Sequence, residues 1–239
     1  MLDDSQVERV LVVTAHPDDV DFGASGTIAG WTAAGIEVVY CICTDGDAGG
    51  FDPDVPRSDI PGIRQAEQRS AGAVVGVTDV RFLGYRDGAL EATQDLRRDI
   101  SRVIRQVRPQ RMLIQSPDRN WLRIGASHPD HLAAGVAAIA AVYPDARNPF
   151  AHTSLLADEG LEAWAAEETW VMAHPDNNHT VDISDRFDTK IAALRAHESQ
   201  TAHMDDLEAR LRDWGGQNAK AAGLPAGHVA ERFFVVSTA

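Results

Sequence analysis

The first half of the chain alternates apolar runs with helical stretches, and this alternation constrains the fold more than any other feature. The apolar runs, which are typical of strands buried on both faces, cover residues 7–15, 36–43, 80–84 and 111–115. The helical stretches that separate or follow them cover residues 24–34, 63–75, 95–107 and 131–142. Because strands joined by single helices form right-handed crossovers, the sequence predicts an α/β fold with a mostly parallel sheet flanked by helices.

The last third of the chain continues with predicted strands at 168–173 and 231–237 and predicted helices at 185–197 and 204–214. No linker rich in Gly, Ser or Pro separates it from the first half. A chain of 239 residues fits one large domain. We therefore expect a single domain over residues 1–239, in which a core over about 7–145 is joined by a part over about 146–239 that completes the pocket.

The charge and the cysteines narrow the classes of partner. The formal net charge is -14, whereas nucleic acids and anionic membranes are bound by clustered Lys and Arg. The N-terminus is acidic where a signal peptide would be basic, and no stretch reaches the roughly 18 apolar residues of a membrane span. Cys41 and Cys43 fall in a predicted strand and are expected to be buried, reduced thiols. We expect a cytoplasmic protein without nucleic-acid or membrane partners, and a homo-oligomer stays open because the alanine-rich helix could be core or interface.

Polar side chains follow the ends of all four predicted strands of the first half. They are residues 16–19, Asp45 with Asp47, Asp87, and the segment from Pro117 to His128. In open parallel sheets, ligands bind beyond the carboxyl ends of the strands. Because four strand ends deliver polar residues to one rim, a functional site there is more credible than any single motif would make it.

The first of these segments, His16-Pro17-Asp18-Asp19, carries the types of residue that a catalytic metal requires. Pro17 fixes a turn in which His16 and Asp19 can point toward one centre, and imidazole and carboxylate are usual ligands of catalytic zinc. Asp18 can then face water at the metal and take its proton during attack. Acidic doublets are also common on surfaces, so this motif alone does not establish a site.

The second motif, His128-Pro129-Asp130-His131, supplies what the first lacks. Pro129 suits a first helical position, so His131 should lie in the first turn, on the same face as His128. On the helix, His131 would complete a His-Asp-His ligand set. His128 would stand beside the substrate carbonyl and either donate to the oxyanion or protonate the leaving group. Asp130 could orient His128 and keep it cationic, or simply complement the helix N-terminus.

Both motifs resemble a known family. Residues 14–19, with Gly23 and Gly26 after them, are similar to the first signature of the LmbE/PIG-L family of metal-dependent de-N-acetylases, and residues 127–131 are similar to its second. Weaker similarities, which support these two, lie at Thr44-Asp45-Gly46, Arg64-x-x-Glu67, residues 85–88 and the stretch from Lys190 to Gln200. The matches follow the family's order from about residue 10 to about residue 200.

This resemblance implies a Rossmann-like fold and zinc held by His16, Asp19 and His131. It also implies that Asp18 is the general base and that His128, supported by Asp130, is the electrophilic or acid partner. The implied reaction removes an N-acetyl group from a glucosamine-type sugar, so the partner would be a small N-acetylated sugar or glycoside. The exact substrate is not implied, because relatives act on glucosaminyl-inositols, thiol conjugates, chito-oligosaccharides and antibiotic glycosides. Fe²⁺ also suits a site of two histidines and one aspartate.

Two more residues are candidates for substrate binding. Arg64 could reach the pocket and bind a substrate hydroxyl or phosphate, or it could pair with Glu67 one helical turn away. Asp87 could accept hydrogen bonds from sugar hydroxyls, although Arg-Asp-Gly is also ordinary turn chemistry. The pocket walls are expected from residues 51–61 and 121–126, where Trp121 could equally stack on a sugar ring or pack against the protein. His197 is expected to pack or to support the site rather than to bind metal.

Three other functions remain as alternatives at this stage. An amidase that cleaves a larger N-acyl or thiol-conjugate amide would use the same groups. A nucleotide-binding Rossmann module is favoured by Gly23-x-x-Gly26 and by Asp45, but the Gly-x-Gly-x-x-Gly fingerprint is absent and an acidic doublet stands where phosphate would bind. A non-catalytic metal-binding protein would not need Asp18 or His128.

Overall fold

The computed structural model describes all 239 residues, and its strands form one sheet. Seven strands lie in the order β3-β2-β1-β4-β5-β7-β6. Their bounds are β1 Arg9–Thr14, β2 Glu37–Thr44, β3 Asp79–Tyr85, β4 Arg111–Gln115, β5 Glu168–Met172, β6 His179–Asp182 and β7 Ala230–Ser237. Strands β1 to β5 pair in parallel, and β7 runs antiparallel to both β5 and β6. The prediction of a mostly parallel sheet is therefore confirmed.

Eight α-helices cover the sheet. Their bounds are α1 Asp19–Ala33, α2 Ile60–Val74, α3 Gln94–Val107, α4 Pro129–Ala140, α5 Thr153–Ala157, α6 Phe187–Arg195, α7 Glu198–Thr201 and α8 Leu207–Ala221. Single 3₁₀ turns occur at Asp4–Gln6, Ile124–Ser127 and Ser184–Arg186, and a π-helical turn at Ala141–Asp145 follows α4. None of these helices combines the length and the apolar character that crossing a membrane demands.

The apolar run of β1 is continuous because its two faces enter two different core layers. Leu11 and Val13 pack in the layer formed with α3 and α4, whereas Val10 and Val12 pack in the layer formed with α1. Successive strand side chains point to opposite faces, so a strand between two helical layers must be apolar at every position. Each such side chain, when fully buried, stabilises the fold by about 1.5–3 kcal/mol.

The C-terminal part of the chain extends the same sheet rather than forming a second one. Strand β5 pairs with β4, and β7 lies between β5 and β6. From β7, the buried carboxylate of Glu231 accepts hydrogen bonds from the backbone N–H groups of Gly26 and Thr27 in α1 at 3.1 and 2.8 Å. This arrangement agrees with one α/β domain, and the division into a core and a pocket-completing part stays a prediction.

Several predicted elements differ from the structure in instructive ways. Helix α1 begins at Asp19, five residues before the predicted start, since the residue before it takes a left-handed conformation that no sequence period reveals. The predicted helix at 185–197 ends instead as α6 at Arg195, and His197 is non-helical. The short elements β6 and α5 were not predicted. Cys41 and Cys43 are buried as expected, and burial raises the pKa of Cys41 to about 12.

The sheet order creates a crevice between β1 and β4. Connections from β1 lead toward β2 and β3 on one side, while β4 and β5 extend the sheet on the other. Helix α4 is able to lie against the end of β4 because residue 135 is glycine: a Cβ there would meet the carbonyl oxygen of Gln115 at 2.6 Å. The side chain of Gln115 in turn accepts a hydrogen bond from the N–H of Ala15 at 2.8 Å. These contacts hold the ends of β1 and β4 together at the point where the order of the strands reverses, which is where open α/β sheets bind ligands.

Candidate metal centre

Three side-chain groups predicted as metal ligands meet at this crevice. His16 follows β1, Asp19 begins α1, and His131 lies in the first turn of α4. His16 Nδ1 lies 3.3 Å from Asp19 Oδ2 and 3.3 Å from His131 Nε2, and His131 Nε2 lies 3.0 Å from Asp19 Oδ1. The three groups form a nearly equilateral triangle in which the corner at Asp19 is its carboxylate group, with Oδ2 toward His16 and Oδ1 toward His131, although 115 residues separate the two histidines.

The size of this triangle fits a divalent metal ion. Ligands at about 2.0–2.1 Å from a tetrahedral zinc lie about 3.3 Å from one another. The three measured separations, 3.0 to 3.3 Å, are close to that value. Two imidazoles and one carboxylate are also a usual donor set for a catalytic zinc, which leaves a fourth position open. The residues present therefore fit a metal ion on both distance and chemistry.

The outward nitrogen of His16 is held by two carboxylates. Its Nε2 lies 3.0 Å from Asp87 Oδ1 and 3.2 Å from Asp130 Oδ2. A carboxylate that accepts the distal N–H of an imidazole fixes the tautomer and leaves the other nitrogen free to bind metal. His131 faces the same centre with its Nε2, which lies 3.0 Å from Asp19 Oδ1. Both imidazoles thus present one nitrogen to the common centre.

The charges of the site strongly favour positive species at its centre. Burial alone would lower the pKa of His16, but attraction to Asp19 and Asp87 outweighs it and raises this pKa to about 11. Burial would raise the pKa of Asp19, but the charges of His131 and His16 hold it well below the usual range. A proton on the inward nitrogen of either imidazole would compete with a cation for that nitrogen, so metal binding would release it.

Two other groupings of possible ligands share His16. One combines its ring with those of His128 and His131, and the other combines it with Asp87 and Asp130. The second grouping lies around the outward nitrogen, where the carboxylates already act as acceptors. Both groupings lack Asp19, whose two oxygens lie within 3.3 Å of the nitrogens that face the centre, His16 Nδ1 and His131 Nε2. The geometry favours the set of His16, Asp19 and His131.

Asp18 lies beside this centre in an unusual backbone conformation. Its φ is 84°, in the left-handed region, and the strain is held in place by a hydrogen bond from its N–H to Gln68 Oε1 at 2.8 Å. Its carboxylate Oδ2 lies 3.1 Å from Arg64 Nη2. Burial raises the pKa of Asp18 to about 6, and Arg64 opposes that rise. A carboxylate with this pKa is suited to gain and lose a proton near neutrality.

Arg64 is buried among protein groups rather than directed into open space. Its Nη2 donates to the carbonyl of Pro17 at 2.6 Å and its Nη1 to the carbonyl of Gly46 at 3.2 Å. A Cβ on Gly46, whose φ is +64°, would lie 2.5 Å from Arg64 Nη1, which explains why glycine follows Thr44-Asp45. The alternative pairing with Glu67 is absent, because Glu67 accepts hydrogen bonds from Ser199. Arg64 thus contacts Asp18, and its expected contact with substrate stays untested.

His128 and Asp130 require a correction to the sequence interpretation. The carboxylate of Asp130 does not contact His128: it accepts from the N–H groups of Gly88 at 2.7 Å and Leu90 at 3.3 Å and lies on His16 Nε2. Only the backbone N–H of Asp130 reaches His128, donating to Nδ1 at 3.2 Å. The physical reason is that α4 turns the short Asp130 side chain inward, toward the loop after β3. Accepting at Nδ1 leaves His128 with its proton on Nε2 as a neutral donor.

The environment of His128 keeps it neutral. Burial and the positive charges of His16 and His131 lower its pKa. Its ring stands 5.1 Å from the His16 ring and 5.2 Å from the His131 ring, centroid to centroid, and the residue is exposed. His128 is therefore at the edge of the centre and accessible to a substrate.

Asp87, expected to bind sugar hydroxyls, has both oxygens engaged by the protein. Besides Oδ1 on His16, its Oδ2 accepts from the N–H of Ala48 at 3.2 Å. Its own N–H donates to Asp47 Oδ1 at 2.9 Å. Hydrogen bonding to His16 lowers the pKa of Asp87 even though burial opposes this. Asp45, the other rim carboxylate, accepts from Gln65 at 2.9 Å and stays apart from the centre.

A buried network behind Asp18 was not predicted. His197, fully buried, places Nε2 2.8 Å from Asp21 Oδ2, and the same oxygen accepts from Gln68 Nε2 at 2.8 Å. Gln68 is the residue that holds the N–H of Asp18. The signal available in the sequence was Asp21 itself, a carboxylate on the inner side of a helix that is otherwise apolar and small. The expectation that His197 supports the site rather than binding metal agrees with this network.

The centre opens into one cavity of about 660 Å³, within the range of small-molecule sites. Asp19 and His131 belong to its lining, together with residues of α1, the β4–α4 loop, the β5–β6 connection, α6, α8 and β7. Of the expected walls, the segment 121–126 contributes Arg123, Gly125 and Ala126, but residues 51–61 contribute nothing. Trp121 is 79% exposed and does not line the cavity, so neither of its two candidate roles, stacking on a substrate or packing, finds support.

Comparisons with known proteins agree on one family. A family model described as "PIG-L: GlcNAc-PI de-N-acetylase" matches residues 11–142. A diacetylchitobiose deacetylase of Thermococcus kodakarensis is 35% identical over 196 residues, 82% of this chain and 71% of the relative. A probable N-acetyl-alpha-D-glucosaminyl L-malate deacetylase 2 of Bacillus cereus is 36% identical over 215 residues, 86% of this chain and 90% of the relative.

A solved structure supports the same relation. The N,N'-diacetylchitobiose deacetylase of Pyrococcus horikoshii, complexed with an inhibitor, superposes with a TM-score of 0.88. It is 28% identical in sequence, and the alignment covers 97% of this chain and 85% of that one. The similarity therefore includes the C-terminal strands and helices that the family match at 11–142 does not reach.

Proposed function

The chain belongs to the GlcNAc-PI de-N-acetylase (PIG-L) family, and from this premise we propose that it removes the N-acetyl group of a small glucosamine-type substrate by metal-dependent hydrolysis. The relatives named above are deacetylases of such compounds. The observation that carries the proposal is the triangle of His16, Asp19 and His131, of which Asp19 and His131 line a cavity large enough for a small glycoside.

In this proposal the metal would be held by His16 Nδ1, His131 Nε2 and Asp19. Zn²⁺ suits these ligands, and Fe²⁺ is the alternative. When bound, the cation supplies Lewis acidity toward the amide carbonyl and the attacking water. Asp87 and Asp130 hold the outward nitrogen of His16, so we assign both to positioning a ligand.

Asp18 is the proposed general base. Its carboxylate flanks the metal ligands and is largely ionised at neutral pH, because its pKa is raised only to about 6. It takes a proton from the attacking water, and the same raised pKa suits it to pass that proton to the departing amine. Arg64 fixes the carboxylate through Nη2 at 3.1 Å, which makes it a positioning residue in this scheme.

His128 is the proposed donor to the oxyanion. It is neutral, with its proton on Nε2, because Nδ1 accepts from the backbone of Asp130 and its pKa is lowered. A neutral imidazole is a hydrogen-bond donor rather than a strong acid. We therefore assign the stabilisation of charge to His128 and the transfer of protons to Asp18.

A deacetylation assay over a panel of N-acetylglucosaminides tests the proposal. We expect release of free acetate, loss of that activity on treatment with a chelator, and its return on adding Zn²⁺ or Fe²⁺. Release of a longer acid from an N-acyl analogue, without acetate from any acetylated substrate, would instead establish the amidase alternative. Full turnover by the Asp18→Ala variant would refute the assignment of the base.

A further inference from the structure

One peptide unit beside the metal ligands is held at both of its polar groups by the same helix. The carbonyl oxygen of Pro17 accepts from Arg64 Nη2 at 2.6 Å, and the N–H of Asp18 donates to Gln68 Oε1 at 2.8 Å. Both groups belong to the planar peptide that joins Pro17 to Asp18. Arg64 and Gln68 lie four residues apart on α2, so their side chains leave the same face of that helix. The orientation of this peptide is therefore fixed from α2.

This peptide needs support because it leads into strained backbone. Asp18 has φ 84° and ψ -27°, a left-handed conformation that residues with a Cβ rarely adopt. It is the N-cap residue of α1, and N-cap aspartates usually accept an N–H of the first helical turn with their own side chain, but Asp18 does not. Its carboxylate lies on Arg64 instead. The usual local contact is thus missing, and α2 binds both the N–H and the carboxylate of Asp18.

The direction of the Gln68 amide is fixed by a second carboxylate. Gln68 is fully buried, and its Nε2 donates to Asp21 Oδ2 at 2.8 Å. An ionised carboxylate only accepts hydrogen bonds, so it selects the amide orientation in which Oε1 faces the N–H of Asp18. The same oxygen of Asp21 lies 2.8 Å from His197 Nε2, and both of these residues are fully buried. The reverse orientation would place two donors, the amide NH₂ and the N–H of Asp18, against each other.

The two ligands that flank the proposed base are held without Gln68. The N–H of His16 donates to Asp19 Oδ2 at 2.7 Å. The outward nitrogen of His16 lies on the carboxylates of Asp87 and Asp130. Loss of the Gln68 contact would therefore free the peptide in front of the base to rotate, while the ligand set keeps its own contacts.

We propose that Gln68 is a positioning residue for the general base, and that Asp21 acts through it by setting the direction of its amide. The inference rests on the proposed deacetylase function and deepens it. Gln68 keeps the peptide before Asp18 in one orientation, so that the carboxylate of Asp18 stays on Arg64 beside the metal ligands. Gln68 itself does not line the cavity, so it acts on the reaction only through Asp18.

The first variant removes the acceptor and nearly keeps the volume of the side chain. Gln68→Met should lower kcat for acetate release about 10- to 100-fold, because a misplacement of about 1 Å costs on the order of 10²-fold in rate. KM and the affinity for Zn²⁺, measured by competition with a chromophoric chelator, should stay within a few-fold of the wild type. The matched control is Gln65→Met on the same helix, since Gln65 donates to Asp45 Oδ1 at 2.9 Å and does not contact Asp18. It should keep kcat.

Two results of this comparison would contradict the positioning role. An unchanged kcat in Gln68→Met would show that the base does not need the contact. A Zn²⁺ affinity that falls as far as kcat would show a general loss of structure at the site rather than a displaced base.

A paired exchange tests the direction of the amide. Gln68→Glu alone places two carboxylate oxygens at the 2.8 Å distance that now joins Gln68 Nε2 to Asp21, and it should lower kcat as Gln68→Met does. Adding Asp21→Asn returns an N–H donor to this contact and should restore most of kcat. His197 can follow the exchange, because its Nδ1 is buried without a partner and can carry the proton in place of Nε2. A double variant no faster than Gln68→Glu would overturn the inference.

Hydrogen exchange at the N–H of Asp18 gives a readout that does not depend on turnover. Compared with the wild type and Gln65→Met, this amide should exchange about 10-fold faster in Gln68→Met, because a buried hydrogen bond contributes on the order of that factor. The double variant should regain protection. Equal exchange rates in the wild type and Gln68→Met would overturn the inference whatever the substrate is. Acetate release from no N-acetylglucosaminide would refute the deacetylase function itself, and the exchange rates would still decide whether Gln68 holds Asp18.

Discussion

Replacing Asp130 with asparagine should weaken metal binding rather than disable the donor His128. The carboxylate of Asp130 contacts His16 Nε2 at 3.2 Å, and its other hydrogen bonds come from backbone N–H groups. Asparagine has nearly the same shape, but its amide group offers His16 a donor or a neutral acceptor in place of an anion. Loss of such an outer partner typically lowers metal affinity or activity 10- to 100-fold, which is about 1.4–2.7 kcal/mol.

The assay separates affinity from turnover. Zn²⁺ affinity is measured by competition with a chromophoric chelator, and kcat is measured at saturating metal. Asp130→Asn should lower the affinity about 10- to 100-fold and leave kcat at saturating metal within a few-fold of the wild type. Asp87→Asn should behave in the same way, because Asp87 Oδ1 lies 3.0 Å from the same nitrogen. His128→Asn is the contrasting control: it should lower kcat and leave the affinity unchanged.

One result would refute this reasoning. If Asp130→Asn binds Zn²⁺ as tightly as the wild type while kcat falls as far as in His128→Asn, then the carboxylate acts on His128 after all. That outcome would require the Asp130 side chain to leave the N–H groups of Gly88 and Leu90, which it binds at 2.7 and 3.3 Å. Protection of those amides from hydrogen exchange would report such a movement directly.

Three further predictions follow from the same contacts. Asp18→Asn should keep the metal but lower kcat about 10²- to 10⁴-fold. In the wild type, kcat/KM should rise with pH through an acidic limb at or below about pH 6, because the base must be ionised and the pKa of Asp18 without metal is raised to about 6. The same limb in the variant would exclude Asp18 as its source. His197→Ala should lower kcat and, by removing one of the two side-chain hydrogen bonds to the buried Asp21 Oδ2, destabilise the fold by about 1–3 kcal/mol in urea denaturation. His197→Gln, which can still donate to Asp21, should restore both. Gly135→Ala should cost about 1–3 kcal/mol of stability and weaken Zn²⁺ binding, since α4 must move away from Gln115; unchanged values would show that α4 tolerates the shift.

The sequence predicted the parts of the site that depend on strand ends. His16 and Asp87 follow parallel strands of one sheet, so the rules of α/β topology bring them to one rim whatever the details. Pro129 at the start of α4 placed His131 in a first helical turn, and the structure places it there. Elements with a strong period or a continuous apolar run were located within a few residues.

What the sequence did not predict depends on contacts between distant segments. The partner of Asp130 is decided by where the loop after β3 passes, 42 residues earlier in the chain at Gly88. The break between α6 and α7 exists because His197 turns inward to Asp21, 176 residues away. The helical periodicity carries no information on either contact. The sequence therefore showed which residue types were present, but not that His197 would pair with Asp21 or that Asp130 would bind the loop after β3.

The charges around the centre give an independent argument for a cation. Four carboxylates lie around the centre. Those of Asp19, Asp87 and Asp130 lie within 3.3 Å of a nitrogen of His16. That of Asp18 lies 3.1 Å from Arg64, the one arginine in this group. Without further positive charge this would be a costly concentration of buried anions. Without a metal, the neighbouring carboxylates raise the pKa of His16 to about 11, so that a protonated imidazole balances part of the negative charge. Metal binding requires the same ring to be neutral. A divalent cation supplies the same charge at the same point, and for this reason the affinity for metal must increase as the pH rises and the competing protons leave.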